Sequence, residues 1–241
     1  MKLANLAVIF IGTGKYLNFL PTWYESCEKY LAPGHEKQYF VFTDGEMEDL
    51  PDNITPYYQE HLPWPYITLY RFATILKASE DIQNYDYLLF LDADMRVVDT
   101  VTPDVLFTDK PYIGVHHPCH FLGMHPHTQY PGAFETNKES CAAVSEDDDT
   151  SMYWQGCLWG GKVPEVIDMM KELDRRTKDD ETRDIIAKWH DESHLNKYYI
   201  ENKDLVHTLS SSYAYPEVFS SSCNFEPKIV HLAKDNSKYQ Q

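Results

Sequence analysis

Three short apolar runs constrain this chain more than any other feature: "NLAVIFI" at 5–11, "QYFVF" at 38–42 and "YLLFL" at 87–91. Each is rich in β-branched or aromatic residues and short for a buried helix, so each predicts a strand covered on both faces. The segments between them carry helical spacing. "LNFLPTWYESCEKYL" (17–31) predicts a helix with Pro21 in its first turn, and "TLYRFATILKASED" (68–81) predicts a second. Strand and helix alternating in this way predict an α/β fold with a mostly parallel central sheet flanked by helices. Two later helices are expected over "VPEVIDMMKELDRR" and "ETRDIIAKWHDESHLNKYY". The His-, Pro- and Ser-rich stretch 116–150 reads as long loops with short strands. No repeat and no Pro/Ser linker divides the 241 residues, which suit one domain with a polar, mobile C-terminus.

Charge narrows the partners. A formal net charge of -17 offers no basic stripe for coating nucleic acid. A small phosphorylated ligand remains compatible, because a divalent cation and a few placed cations create a local positive site inside an acidic protein. No run approaches the roughly 18 apolar residues of a membrane span. "MKLANLAVIFIGTGKY" reads as a first strand rather than a signal peptide. The cysteines (Cys27, Cys119, Cys141, Cys157, Cys223) are odd in number and lack CxxC spacing, which fits a reduced, cytoplasmic protein without a zinc ribbon.

The third run ends in two acids, "LLFLDAD" (88–94). In a strand, residues i and i+2 share a face, so Asp92 and Asp94 are expected to project together from the carboxyl end of a buried strand. Ligands of open α/β sheets bind at that edge. Two neighbouring carboxylates repel unless a proton or cation lies between them, and Mg²⁺ or Mn²⁺ satisfies both while leaving positions for phosphate oxygens. A solvated turn capped by Asp94 would use the same residues. A second constellation, "WHDESHLNKYY" (189–199), places His190 and His194 on one helical face, but Asp191 stands where a zinc peptidase needs Glu. There Glu192 is the carboxylate able to act as nucleophile or charge stabiliser in a cleft, and a solvated helix face is the simpler reading. Gly14-Lys15 is no phosphate loop, since Ile9 and Tyr16 replace its Gly and its Ser or Thr. The histidines 116, 117, 120, 125 and 127 are broken up by Pro118 and Pro126, which favours a loop with one or two functional histidines over a metal cluster.

Together these fragments resemble glycosyltransferase family 6, whose animal members include the blood-group A and B transferases and α-1,3-galactosyltransferase. The resemblance runs through "GKYLNFLPTWYESCEKYLAPGHEKQYFVFTD", "YDYLLFLDADM", "YWQGCLWGG" and "WHDESHLNKY", and covers about residues 8 to 236. The ten-residue string W-H-D-E-S-H-L-N-K-Y is its most specific part.

The resemblance implies a single-domain GT-A fold. A nucleotide-sugar-binding half (about 1–115) would meet an acceptor and catalytic half (about 116–230), followed by a mobile tail (231–241). It also implies retaining transfer of galactose, N-acetylgalactosamine or a related hexose from a UDP-sugar to a glycan hydroxyl, through an α-1,3 bond. Position by position, Ile11, Thr13 and Tyr16 would line the uridine pocket. Asp92 and Asp94 would hold Mn²⁺ (or Mg²⁺) on the diphosphate, with Arg71 nearby and Lys234 closing over the phosphates. Glu192 matches the nucleophile, Asp191 a donor-sugar ligand, and Gln155 and Cys157 the positions that choose the sugar. His117 and Trp189 match acceptor-side positions. Two departures stand out. A membrane anchor of the kind animal members carry is not expected from this sequence. The family's Y-E-R-R-P segment is reduced to Phe134-Glu135-Thr136-Asn137-Lys138, which changes the expected acceptor. Cys157 is bulkier than the Gly associated with N-acetylgalactosamine and favours an unsubstituted hexose. A UDP-sugar hydrolase and a carbohydrate-binding protein with a vestigial site are the alternatives.

Overall fold

The computed structural model describes residues 4–118, 134–235 and 239. Its main sheet has seven strands: β1 (Leu6–Ile11), β2 (Lys37–Thr43), β3 (Ile54–Tyr58), β4 (Tyr87–Leu91), β6 (Tyr112–His116), β7 (Trp154–Lys162) and β8 (Val206–Leu209). Their order is β3-β2-β1-β4-β7-β6-β8. Neighbours pair in parallel except around β7, which runs antiparallel to both β4 and β6. A small second sheet joins β5 (Met95–Val97), β10 (Ile229–His231) and β9 (Tyr215–Pro216) in the order β5-β10-β9. This is the mixed α/β architecture, dominated by parallel pairing, of a GT-A domain.

The apolar runs behave as strands buried on both faces. Ala7 and Ile9 of β1 join one core with Phe40, Phe42, Leu88 and Phe90, whereas Leu6, Val8 and Phe10 join the other with Tyr39, Val41 and Leu89. That split follows from alternation along a pleated strand. One core is covered by the helix Val163–Glu181, whose Val166, Ile167, Met170, Leu173 and Thr177 form one helical stripe. The other is covered by the helix Leu20–Tyr30 through Trp23 and Cys27. Each fully buried Leu, Ile or Phe contributes about 1.5–3 kcal/mol. The framework is therefore stiff where the strands end. Among the described residues no helix is long and apolar enough to cross a membrane.

Several boundaries differ from expectation. Residues 14–19 form a 3-10 turn before the Leu20–Tyr30 helix, with Pro21 in its first turn as expected. The helix expected over 68–81 is three pieces, Tyr66–Leu69, Arg71–Leu76 and Ser79–Ile82, because Tyr70 and Ala78 leave helical torsions. The last expected helix begins only at His190 and runs to Glu201. Asp184 (φ 55°) and His190 (φ 50°) adopt left-handed backbone in between, which a continuous helix of L-residues does not permit. Of the stretch 116–150, residues 134–150 are turns and irregular chain, and no strand occurs there among the described residues. Residues 119–133, with Cys119, His120, His125 and His127, lie outside the described residues. The tail expected from residue 231 instead starts within β10, and the Leu232 amide donates to the Asp94 carbonyl at 2.9 Å.

Candidate active site

β4 ends at Leu91, so Asp92, Ala93 and Asp94 form a turn closed by the Met95 amide on the Asp92 carbonyl at 3.0 Å. The expectation that both carboxylates share one strand face is thereby corrected. Both line the larger cavity, each with its own partners. Asp92 Oδ1 accepts from Arg71 Nη2 at 3.0 Å. Asp94 Oδ2 accepts from the Lys234 ammonium and lies 3.1 Å from His231 Nε2.

Two connected spaces meet here. The larger, about 400 Å³, is lined by Ile11, Thr13, Tyr16, Asp92, Asp94 and Lys234 among others. The smaller, about 180 Å³, is lined by Gln155, Gly156, Cys157, Trp189, Asp191 and Glu192. Thr68, Arg71, Asp92 and His231 line both. Twelve of the thirteen residues expected at the site therefore fall on these two walls. The thirteenth, His117, lies beyond them, with its ring 5.7 Å from that of Tyr153.

Arg71 ties the elements together. Nη1 donates to the Gly156 carbonyl at 2.9 Å and to Asp191 at 2.7 Å, Nη2 donates to Asp92, and the guanidinium lies over the Phe90 ring. Burial alone would disfavour its charge, but Asp191 and Asp92 outweigh that and raise its pKa. Burial pushes Asp191 up to about 7, although Arg71 opposes the shift. Asp191 and Glu192 sit in the first turn of the His190–Glu201 helix, where its positive end favours carboxylates. Glu192 is held at both oxygens. The Tyr153 hydroxyl donates to Oε1 at 2.6 Å, and the Gly156 amide donates to Oε2 at 2.7 Å. Its pKa is raised by burial, with those two hydrogen bonds pulling against it.

A bulge shapes the smaller space. Opposite the adjacent pair Gly114 and Val115 of β6, the partners on β7 jump from Trp159 to Gln155. Gly156, Cys157 and Leu158 fall between those partners, and such irregularities re-aim side chains beside active sites. The Cys157 carbonyl is tied to the Asp92 amide at 2.9 Å.

Apart from His190, the other residues on these walls carried no motif. Thr13 Oγ1 and His61 Nδ1 are 2.9 Å apart, and His61 and Trp64 line the larger cavity. His190, on the wall of the smaller space, packs edge-on to Trp64. Tyr239 stacks on Phe19 and meets Tyr16 edge-on. The aromatic and proline content of "HLPWP" (61–65) was the one available signal.

The sequence matches the family model of Glycosyltransferase family 6 over residues 3–240. The chain belongs to glycosyltransferase family 6. It is similar to the O-antigen biosynthesis glycosyltransferase WbnI of Escherichia coli, 32% identical over 234 residues and 96% of each chain. The rat histo-blood group ABO system transferase 2 is 29% identical over 97% of this chain and 70% of its own. The human globoside alpha-1,3-N-acetylgalactosaminyltransferase 1 is 28% identical over 83% of this chain and 58% of its own. As a family 6 member the protein is a retaining hexosyltransferase dependent on a UDP-sugar.

Proposed function

We propose that the protein is a metal-dependent transferase that moves an unsubstituted hexose, galactose, from UDP to a hydroxyl of a carbohydrate acceptor, forming an α-1,3 bond. The observation that carries this reading is Arg71, buried on the boundary between a nucleotide-sized and a sugar-sized space and paired to an acid of each. Ile11, Thr13 and Tyr16 take the uridine in the larger space. The diphosphate lies along Asp92, Asp94, Arg71 and Lys234, and the hexose enters the smaller space between Gln155, Cys157 and Asp191. The α-1,3 linkage is drawn from the globoside relative's name. Galactose is favoured because the Cys157 side chain takes up room beside the hexose that a 2-acetamido group would need.

A divalent cation fits the donor set. Asp92 and Asp94 supply hard carboxylate oxygens on one cavity wall, and phosphate oxygens complete such a shell. Among the described residues no group of three or more His, Cys, Asp or Glu side chains is gathered to hold a metal by itself. Charge supports the same conclusion. Among the described residues, Asp92, Asp94, Asp191 and Glu192 are faced by two Lys or Arg side chains on these walls, Arg71 and Lys234, besides histidines, so an added diphosphate needs further positive charge. A bound Mn²⁺ or Mg²⁺ would supply electrostatic stabilisation to the departing diphosphate. Arg71 and Lys234 add fixed donors for that developing charge. Glu192, gripped by Tyr153 and Gly156, is the carboxylate beside the anomeric carbon and acts as nucleophile or oxocarbenium stabiliser. On the acceptor side, the Trp189 indole N–H is buried with no partner among the described residues and is available to an acceptor hydroxyl.

Calorimetric titration of UDP into chelated protein, with and without Mn²⁺, tests this reading. Binding that appears or tightens strongly with metal, and is lost in Asp92→Asn/Asp94→Asn, supports it. Binding indifferent to metal removes the metal from the proposal. No UDP binding under either condition overturns it.

A further inference from the structure

His231 belongs to no motif, yet it is the residue of β10 that lines both spaces. Its two ring nitrogens face different partners. Nε2 lies 3.1 Å from Asp94 Oδ2, and Nδ1 lies 3.4 Å from Gln155 Nε2. A carboxylate only accepts hydrogen bonds, so the contact with Asp94 places a ring proton on Nε2. In the neutral ring Nδ1 is then an acceptor, placed to receive the Gln155 amide N–H. The other end of that amide is left over: Gln155 Oε1 is buried and has no partner among the described residues. A buried carbonyl oxygen without a donor is costly unless a ligand supplies one. Gln155 lines the smaller space, where the hexose is placed, and does not line the larger one.

We propose that His231 is a positioning residue for recognition of the donor sugar: it transmits the fixed orientation of Asp94 to the Gln155 amide and so presents the Gln155 carbonyl oxygen to a hydrogen-bond donor on the sugar. This rests on the donor placement proposed above. The sugar group it selects is a hydroxyl or an amide N–H, as opposed to an ether or a deoxy carbon. The chain of contacts runs from the diphosphate end of the site to its sugar end without passing through Arg71. The two ends are therefore linked twice, once through a guanidinium and once through an imidazole.

The test is the affinity gained from the sugar, read as the ratio of the UDP to the UDP-sugar dissociation constant by calorimetry with Mn²⁺ and no acceptor. UDP-galactose and UDP-N-acetylgalactosamine serve as probes. His231→Leu and Gln155→Leu are each expected to lower the ratio about tenfold for the preferred donor, the scale of one buried hydrogen bond. The double variant is expected to lose no more than either single one, since both break one chain of contacts. His231→Asn, whose side-chain oxygen stands near the place of Nδ1, is expected to restore part of the ratio. Losses that add in the double variant would overturn the proposal. So would a His231→Leu variant in which UDP and UDP-sugar weaken equally, because His231 would then serve the diphosphate alone. If the unaltered protein binds UDP but not more tightly as UDP-sugar, the inference fails while the nucleotide site stands. If it binds neither, the donor placement fails first.

Discussion

Tyr153 and Glu192, thirty-nine residues apart, are joined by a 2.6 Å hydrogen bond from the phenol to one carboxylate oxygen, while the Gly156 amide holds the other. The bond favours the ionised carboxylate against the upward pull of burial. Tyr153→Phe is accordingly expected to slow transfer by about ten- to a hundredfold, the worth of one hydrogen bond to a charged group. Loss of the phenol raises the Glu192 pKa further. The acid limb of the pH–rate profile therefore moves to higher pH, with UDP affinity unchanged. An acid limb that stays in place would remove Tyr153 from this role.

Glu192 itself is more demanding. Glu192→Gln keeps the size and the Gly156 contact but removes the charge. Transfer is expected to fall by roughly 10²–10³-fold or more. UDP binding measured by calorimetry should stay close to that of the unaltered protein, because Glu192 lies on the wall of the smaller space and is absent from the larger.

Lys234 occupies Asp94 where a divalent cation is proposed to act. Chelation is expected to abolish transfer, and added Mn²⁺ to restore it. In Asp94→Asn the gain in UDP affinity from Mn²⁺ should largely disappear. Lys234→Ala should weaken UDP binding while leaving the dependence on metal intact. Removing one such charge-stabilising group typically costs about 3–4 kcal/mol of barrier. Titration of each variant with UDP at fixed Mn²⁺ separates the two cations.

His194 gives a stability prediction. It is fully buried, and neither ring nitrogen has a hydrogen-bond partner among the described residues. Its Nε2 lies 3.6 Å from Asp180, which is held by Ser140, Cys141 and Arg183. Burial lowers its pKa from 6.5 to about 4, with Asp180 opposing the shift and Arg176 assisting it. The unfolded chain takes up a proton below pH 6.5 that the folded one refuses until about 4. Its contribution is therefore intact above 6.5 and lost as pH falls toward 4, by up to about 3 kcal/mol. Denaturant midpoints between pH 7.5 and 4.5 should fall less steeply in His194→Gln than in the unaltered protein.

What the sequence disclosed followed from local physics. β1, β2 and β4 were legible because burial on both faces leaves continuous apolar runs. β3, "ITPYY", was not: it pairs with β2 alone, carries a proline and leaves Tyr58 exposed, so its pattern is that of an edge. Asp92 and Asp94 were legible as a pair, but their separate partners, Arg71 for one and His231 and Lys234 for the other, were not, and both acids sit in a turn that begins directly after the strand. The final helix was legible, but its start at His190 was not, because Asp184 and His190 take left-handed torsions without the glycine that usually signals them. His231 and Tyr153 acquire meaning only from partners 137 and 39 residues away. Periodicity within one element carries no record of such contacts.

The irregular pairing of β7 with β6 gives the sheet a compartment of slack at the place where the sugar is proposed to sit. Beyond it, Trp159, Gly160 and Gly161 keep their own partners on both sides, so the rest of the strand is held independently of residues 155–157. Residues 155–157 are nonetheless joined to the ledge formed by Asp92, Asp94 and Arg71: Gln155 through His231, the Gly156 carbonyl through Arg71, and the Cys157 carbonyl through the Asp92 amide. With the sugar placed as proposed, a change of preference by replacement at 157 keeps the main-chain tie to the nucleotide end, whereas one at 155 is felt there through His231.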